Sequence, residues 1–299
     1  MKKKIILIVL IVDLILIGIS SLVFNDNKDK YISNNIIASV EDNVDLSIYR
    51  NIYYKKLELK YVNDTSVKTA NNKQDLLNII YTTLNSGYDF YDFKCLKKYT
   101  TCANDLLSIL NNRYTLNVIN NLVNPFNSIN LNVKLTYLTN GDIRLLVNKK
   151  YSNDQIYYLN TRVDYIIKML ITDNMNDETK IRKVHDYLTN IVTYGYGDNY
   201  DNAYGALANG IAKCDGYADA FSIFMDKLNI KNYKVVSNTH VWNVVYVNNE
   251  WKHIDVTFDD PANNYDINAS NYNYYLINSS KLNNSNEHNF NKEIYSELI

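Results

Sequence analysis

Cysteine is scarce in this chain: three residues in 299, at positions 95, 102 and 214. None of their spacings fits a zinc site, so no metal and no cofactor is expected from them. An excess of one charge is also missing. Lys and Arg number 31 against 32 for Asp and Glu, with no block of like charge. That balance speaks against a nucleic-acid groove or a polybasic membrane patch, and no nucleic-acid partner is expected. There is no internal repeat and no low-complexity linker. The length suits one large domain or two modest ones with ample core. The 28 tyrosines, with abundant Asn, Lys and Ile, look like the codon usage of an AT-rich genome and carry no functional signal.

What is present begins at the N-terminus. "MKKK" is a basic start, and Ile5–Phe24 is an apolar stretch long enough to cross a bilayer. Asp13 in its middle costs about 2.5–3.5 kcal/mol on insertion scales. About fifteen Ile, Leu and Val residues at roughly −0.3 to −0.6 kcal/mol each outweigh it. No small-x-small cleavage site follows cleanly, and no cysteine stands there for a lipid anchor. The expectation is an uncleaved signal-anchor over 1–24, with the lysines inside and residue 25 onward outside the cell. A cleaved secretory signal is the alternative. Outside the cell Cys95 and Cys102 could pair, closing a short loop worth about 2–3 kcal/mol. Cys214 would then be a free thiol, which in a secreted chain calls for an explanation.

Past a polar tether, "YYKKLELKYV" (53–62) alternates like a strand, and "KQDLLNIIYTTLNSG" has helical spacing ending at a Gly87 cap. "NDLLSILNN" predicts a short helix. Leu131–Asn148 predicts a hairpin about Asn140-Gly141. A helix opens at Ser152 or Asn153, and another runs through "NDETKIRKVHDYLTNIVTYG" with Gly195 at its end. A soft boundary falls near residue 150, giving an accessory α+β region over 25–150 and a second domain over 151–299. In the second domain a helix carrying Cys214 precedes three strand-like runs, "YKVVS", "HVWNVVYV" and "WKHIDVTF". This is an α+β pattern of a helix on an antiparallel meander.

Cys214 stands where this helix begins. Free backbone N–H groups and the helix dipole favour a thiolate there, and Lys213 adds positive charge that Asp215 partly offsets. Gly210 and Gly216 would let the backbone approach a ligand. By itself the position also suits a small core hydrophobe. The hairpin supplies the rest. If Asn248-Asn249 is the turn, Val247 faces Glu250, Trp242 faces Asp255, and His240 becomes a diagonal neighbour of Asp255 on one sheet face. Cys214 would be the nucleophile, His240 the base and Asp255 the group that orients the imidazole. One oxyanion donor would be the Cys214 N–H; Tyr204 and Asn209 are candidates for the second. His253 shares the face of Asp255 and competes for the base role. His185 reads as a helix-packing residue, His288 carries no spacing signal, and Trp242 suits a cleft wall.

Three motifs in order carry a resemblance. "AYGALANGIAKCDGYADAF", then "HVWN", then "WKHIDVTFDDP" resemble the transglutaminase-like superfamily of bacterial proteins, over roughly residues 176–262. The later "YNYYLINSS" is similar to the strand that often follows. The resemblance implies a papain-like core with a Cys-His-Asp triad at Cys214, His240 and Asp255. Phe258 stands where Trp is commoner. The implied activity is thiol acyl transfer on peptide or protein amides, cross-linking or hydrolytic, with cell-wall peptide among the substrates available outside the cell. The competing expectation is a catalytically silent module used for binding or cell-surface assembly.

Overall fold

The computed structural model describes residues 60–260, 272–282 and 286–299. The apolar run 5–24, the tether and most of the strand-like run 53–62 lie outside the described residues, and residues 60–62 form no strand. Among the described residues no helix is long and apolar enough to cross a membrane.

Helix α1 (Lys73–Asn85) starts where the Asn72 side chain accepts the Asp75 N–H at 3.0 Å. It ends at Gly87, whose φ of +66° lets Gly87 and Tyr88 donate back to the carbonyls of Leu84 and Thr83. Its apolar stripe, with Leu76, Ile80 and Leu84 fully buried, packs on α2 (Cys102–Asn111) and α3 (Arg113–Asn121). Beside them lies a four-stranded sheet of β1 (Thr69–Ala70), β2 (Phe90–Cys95), β3 (Ile129–Tyr137) and β4 (Ile143–Lys149), in the order β1-β2-β4-β3. The β3–β4 hairpin turns through residues 138–142. Gly141 takes φ +82° there, and the Asn140 side chain accepts the Asp142 N–H.

Cys95, at the end of β2, is disulfide-bonded to Cys102, the first residue of α2, with Cα atoms 6.0 Å apart. The bridge ties a strand end to a helix start. Reducing it should cost about 2–3 kcal/mol through the freed loop. Urea unfolding with and without a reductant reads that as a lower midpoint.

In the second half, α4 (Asn153–Leu170) opens on a reciprocal capping box of Ser152 and Gln155. Helix α5 (Asp177–Ile191) is capped by Asn176. It stops at Ile191, short of Gly195, because Val192 turns extended. Residues 193–194 then pair in parallel as β5 (Thr193–Tyr194) with β6 (Ile211–Ala212). Helix α6 (Cys214–Lys227) follows, with every residue from Gly216 to Met225 buried. It is wedged between α4, α5 and an antiparallel sheet, β7 (Asn232–Val236), β8 (Val241–Val247) and β9 (Glu250–Ile254), in the order β7-β8-β9.

Asn248 and Asn249 take φ +54° and +65°, the two positive values that a two-residue hairpin turn requires. The ladder runs from Val247↔Glu250 to Asn243↔Ile254, the register the turn dictates. Alternate residues of β8 serve different cores. Trp242 and Val244 join the cluster of α1–α3, and Val245 and Val247 join that of α4–α6.

The third run is shorter than "WKHIDVTF" suggests. β9 ends at Ile254 because the Asp255 side chain accepts the Thr257 and Phe258 N–H groups, at 3.0 and 3.1 Å, and turns the chain. "YNYYLINSS" forms no full strand: Ile277 makes a single antiparallel bridge with His253, and Ser279–Leu282 is a short helix, α7.

Candidate active site

Cys214 is the first residue of α6 and the free thiol among the three cysteines, partly exposed. Its neighbours are packed by glycine. A Cβ on Gly216 would lie 2.7 Å from the Ala212 Cβ and 2.8 Å from the Asn202 carbonyl oxygen. Gly210 takes φ +68° beside the Ile191 carbonyl. The close approach these glycines permit is thus of chain to chain, where the sequence suggested a ligand. Lys213 lays its ammonium over the Tyr196 ring, 3.7 Å from the centroid.

Across from the helix start, His240 lies 2.6 Å through Nε2 from the Asp255 Oδ2. The Cys214 side chain lies close enough to the same imidazole to interact with it electrostatically. With Nε2 on Asp255, Nδ1 is the nitrogen left for the thiol. Both His240 and Asp255 are buried. Burial on its own would lower the His240 pKa, but the Asp255 charge and hydrogen bond, helped by Cys214, raise it to about 10. Burial would raise the Asp255 carboxyl, yet the charge and hydrogen bond of His240 and a second hydrogen bond from His288 hold it well below the usual carboxylate range.

That second bond corrects the sequence expectation for His288. This residue sits buried with Nε2 2.7 Å from the same Asp255 oxygen. Its ring stacks on Tyr274 and meets Phe258, Trp242 and His240 edge-on, with centroids 4.7–5.2 Å away. No pattern in "SNEHNF" marks it, because its partner is 33 residues upstream.

Trp242 is not a cleft wall. It is 1% exposed and lies under His240 in a parallel stack, donating its indole N–H to His253 Nδ1 at 3.0 Å. His253 donates in turn to Ser279 Oγ at 2.8 Å. Burial pushes its pKa down to about 3, so it stays neutral, with both nitrogens engaged away from Asp255.

His185 does more than pack a helix. Its nitrogens lie 3.1 Å from Asp186 and Asp259 carboxylates, and it stacks on Tyr272. Asp260 accepts the hydroxyl of Tyr217 in α6. The paired aspartates after β9 therefore fasten its exit to α5 and α6. Asn209 gives an amide N–H to the Asp198 carbonyl, and Tyr204 packs its ring on Tyr158.

His240, Asp255 and His288 also form the kind of donor set that holds a metal, with one ligand atom each inside 4.8 Å of the others. Nitrogens around a tetrahedral zinc stand about 3.3 Å apart. The N···O separations of 2.6 and 2.7 Å are those of charge-assisted hydrogen bonds, so the cluster as built fits protons better than a metal.

Residues 165–256, which include Cys214, His240 and Asp255, match the family model of the transglutaminase-like superfamily. Over these residues the chain is similar to a transglutaminase-like core. No curated protein matches the chain in sequence. Among solved structures the chain is similar to a TGase, at 14% identity and a TM-score of 0.34, covering 54% of this chain and 50% of that one. It is also similar to a candidate cysteine protease from Cytophaga hutchinsonii, at 12% identity and a TM-score of 0.29, covering 44% and 63%. A third is menin, whose structure reveals the binding site for the Mixed Lineage Leukemia protein, at 17%, 0.28, 38% and 27%. The chain thus spans half the length of the first of these structures. The transglutaminase-like core is mixed α+β, with the thiol-bearing helix against the antiparallel sheet.

Proposed function

We propose that the protein is a thiol acyl-transfer enzyme acting on peptide or protein amides, with Cys214 as nucleophile, His240 as base and Asp255 as the group that orients it. The observation that carries this is one constellation: a helix-start thiol beside an imidazole whose Nε2 lies 2.6 Å from a buried carboxylate. In the reaction, the Cys214 sulfur attacks the amide carbonyl while His240 holds the thiol proton. The C–N bond breaks as His240 passes that proton to the leaving amine. The thioester is then opened by an amine, forming a cross-link, or by water, forming an acid. The oxyanion is met by the Cys214 N–H at the positive end of α6.

The disulfide between Cys95 and Cys102 favours an oxidising, extracytoplasmic setting. Together with the apolar run 5–24 it supports a membrane-anchored or secreted protein whose substrates are surface proteins or cell-wall peptide.

The test is to incubate the full chain with a glutamine-containing peptide, with and without an added primary amine. Amine incorporation with ammonia release marks a transferase, and peptide acid alone marks a hydrolase. Absence of both, with Cys214 alkylated by iodoacetamide only after denaturation, would identify a silent module.

A further inference from the structure

Asp255 is over-subscribed. Its Oδ1 accepts the N–H groups of Thr257 and Phe258, and its Oδ2 accepts the Nε2 atoms of both His240 and His288 at 2.6 and 2.7 Å. The carboxylate is acceptor-only, so both imidazoles donate, and the four donors use all its lone-pair directions. His240 needs this carboxylate for its tautomer. His288 has no contact with Cys214 among the bonds described, and the triad chemistry gives it no task.

The ring of His288 is held as a donor to Asp255 and nothing else. Its Nδ1 is buried and has no hydrogen-bond partner. A proton there would be a buried donor with nothing to accept it, so the ring keeps its hydrogen on Nε2 and a bare lone pair on Nδ1. Tyr274, Phe258 and Trp242 enclose it.

We propose that His288 is a positioning residue of this site: it shares the Asp255 oxygen with His240, fixing the carboxylate in place and tempering its hold on the His240 proton. This rests on the acyl-transfer role proposed above. Hydrogen bonds to a carboxylate spread its charge. Without His288, His240 would be the sole donor to Oδ2, would bind its proton more tightly, and would surrender it less readily to a leaving amine. The other titratable groups facing the pair are Cys214, His253, Asp259, Tyr274 and Glu287. All of them are retained when His288 alone is replaced.

The experiment is histidine NMR on the full chain with labelled imidazole nitrogens, following His240 through its titration in wild type, His288→Phe and His288→Gln. Phe fills the aromatic enclosure without donating; the Gln amide can donate. The expected result is two low-field imidazole N–H protons in wild type and one in His288→Phe. The His240 midpoint should rise by about one pH unit in the Phe variant, a tenfold change in its proton equilibrium, and fall back towards wild type in the Gln variant. An unmoved midpoint in folded His288→Phe, or a Gln variant that matches Phe, overturns the proposal. Should the Phe variant fail to fold, absence of the second low-field proton in wild type does the same. The acyl-transfer role is judged separately, by alkylation of wild-type Cys214. An ordinary thiol profile insensitive to His240→Ala would sink that role and leave the His240 titration in the His288 variants interpretable.

Discussion

Cys214→Ala will abolish amide turnover, a loss of about 10⁴-fold or more, on a protein that unfolds at nearly the wild-type temperature. The asymmetry follows from where the residue sits. Cys214 is partly exposed at the start of α6, and Lys213, Gly216 and the pairing of β6 hold the chain there without its sulfur. Only the proposed nucleophile is lost. His240→Ala should fall to a similar floor, and the double variant no further, because groups acting as one unit are not additive. Steady-state rates on a glutamine peptide, with melting curves for both variants, check this. Residual turnover within tenfold of wild type in Cys214→Ala would remove the thiol from the mechanism. Turnover in the wild type should persist well above neutral pH and decline as pH passes about 10, where His240 loses the proton its leaving-group role requires.

Asp255→Ala will combine loss of activity with loss of stability, in the region of 3–5 kcal/mol, by stripping a buried imidazolium of its counter-charge. Four donors lose their acceptor at once. The pH dependence of this pair has a definite sign. The Asp255 pKa is depressed, so its contribution is present above the ordinary carboxylate range near pH 4 and lost as pH falls. The His240 pKa is raised, so its contribution is complete below about pH 6.5 and lost as pH rises towards about 10. The stability difference between wild type and Asp255→Ala should therefore be widest between about pH 4 and 6.5. Chemical denaturation across that range measures it, and a flat difference would show that the pair is not ionised in the fold.

Much of the frame was legible because local chemistry decided it. Two asparagines that accept positive φ set the β8–β9 turn, and a period of two then fixed which residues face which. Ser152 announced its helix as a cap. What stayed hidden depended on the meeting of distant segments. His288 and His185 look like ordinary polar residues until Asp255 and Asp259 are placed beside them. Trp242 looked like a lining residue because strand alternation says which face a side chain takes, and not how deep that face is buried. Gly216 suggested room for a ligand, and the space is filled by the Asn202 carbonyl and Ala212. The early end of β9 came from Asp255 bonding its own backbone neighbours, a competition that alternation does not reveal.

The late position of His288 has a consequence for biosynthesis. During translation Cys214, His240 and Asp255 are all made before the segment that carries His288, Phe290 and Tyr295. That segment caps the site and the core beneath it, where Tyr295 also accepts the Val236 N–H. A nascent chain that has not reached that segment holds Cys214, His240 and Asp255 but lacks one donor to Asp255. Residues 286–298 supply that donor, so the surroundings described for the Asp255 carboxylate are complete only after the other three side chains have been made.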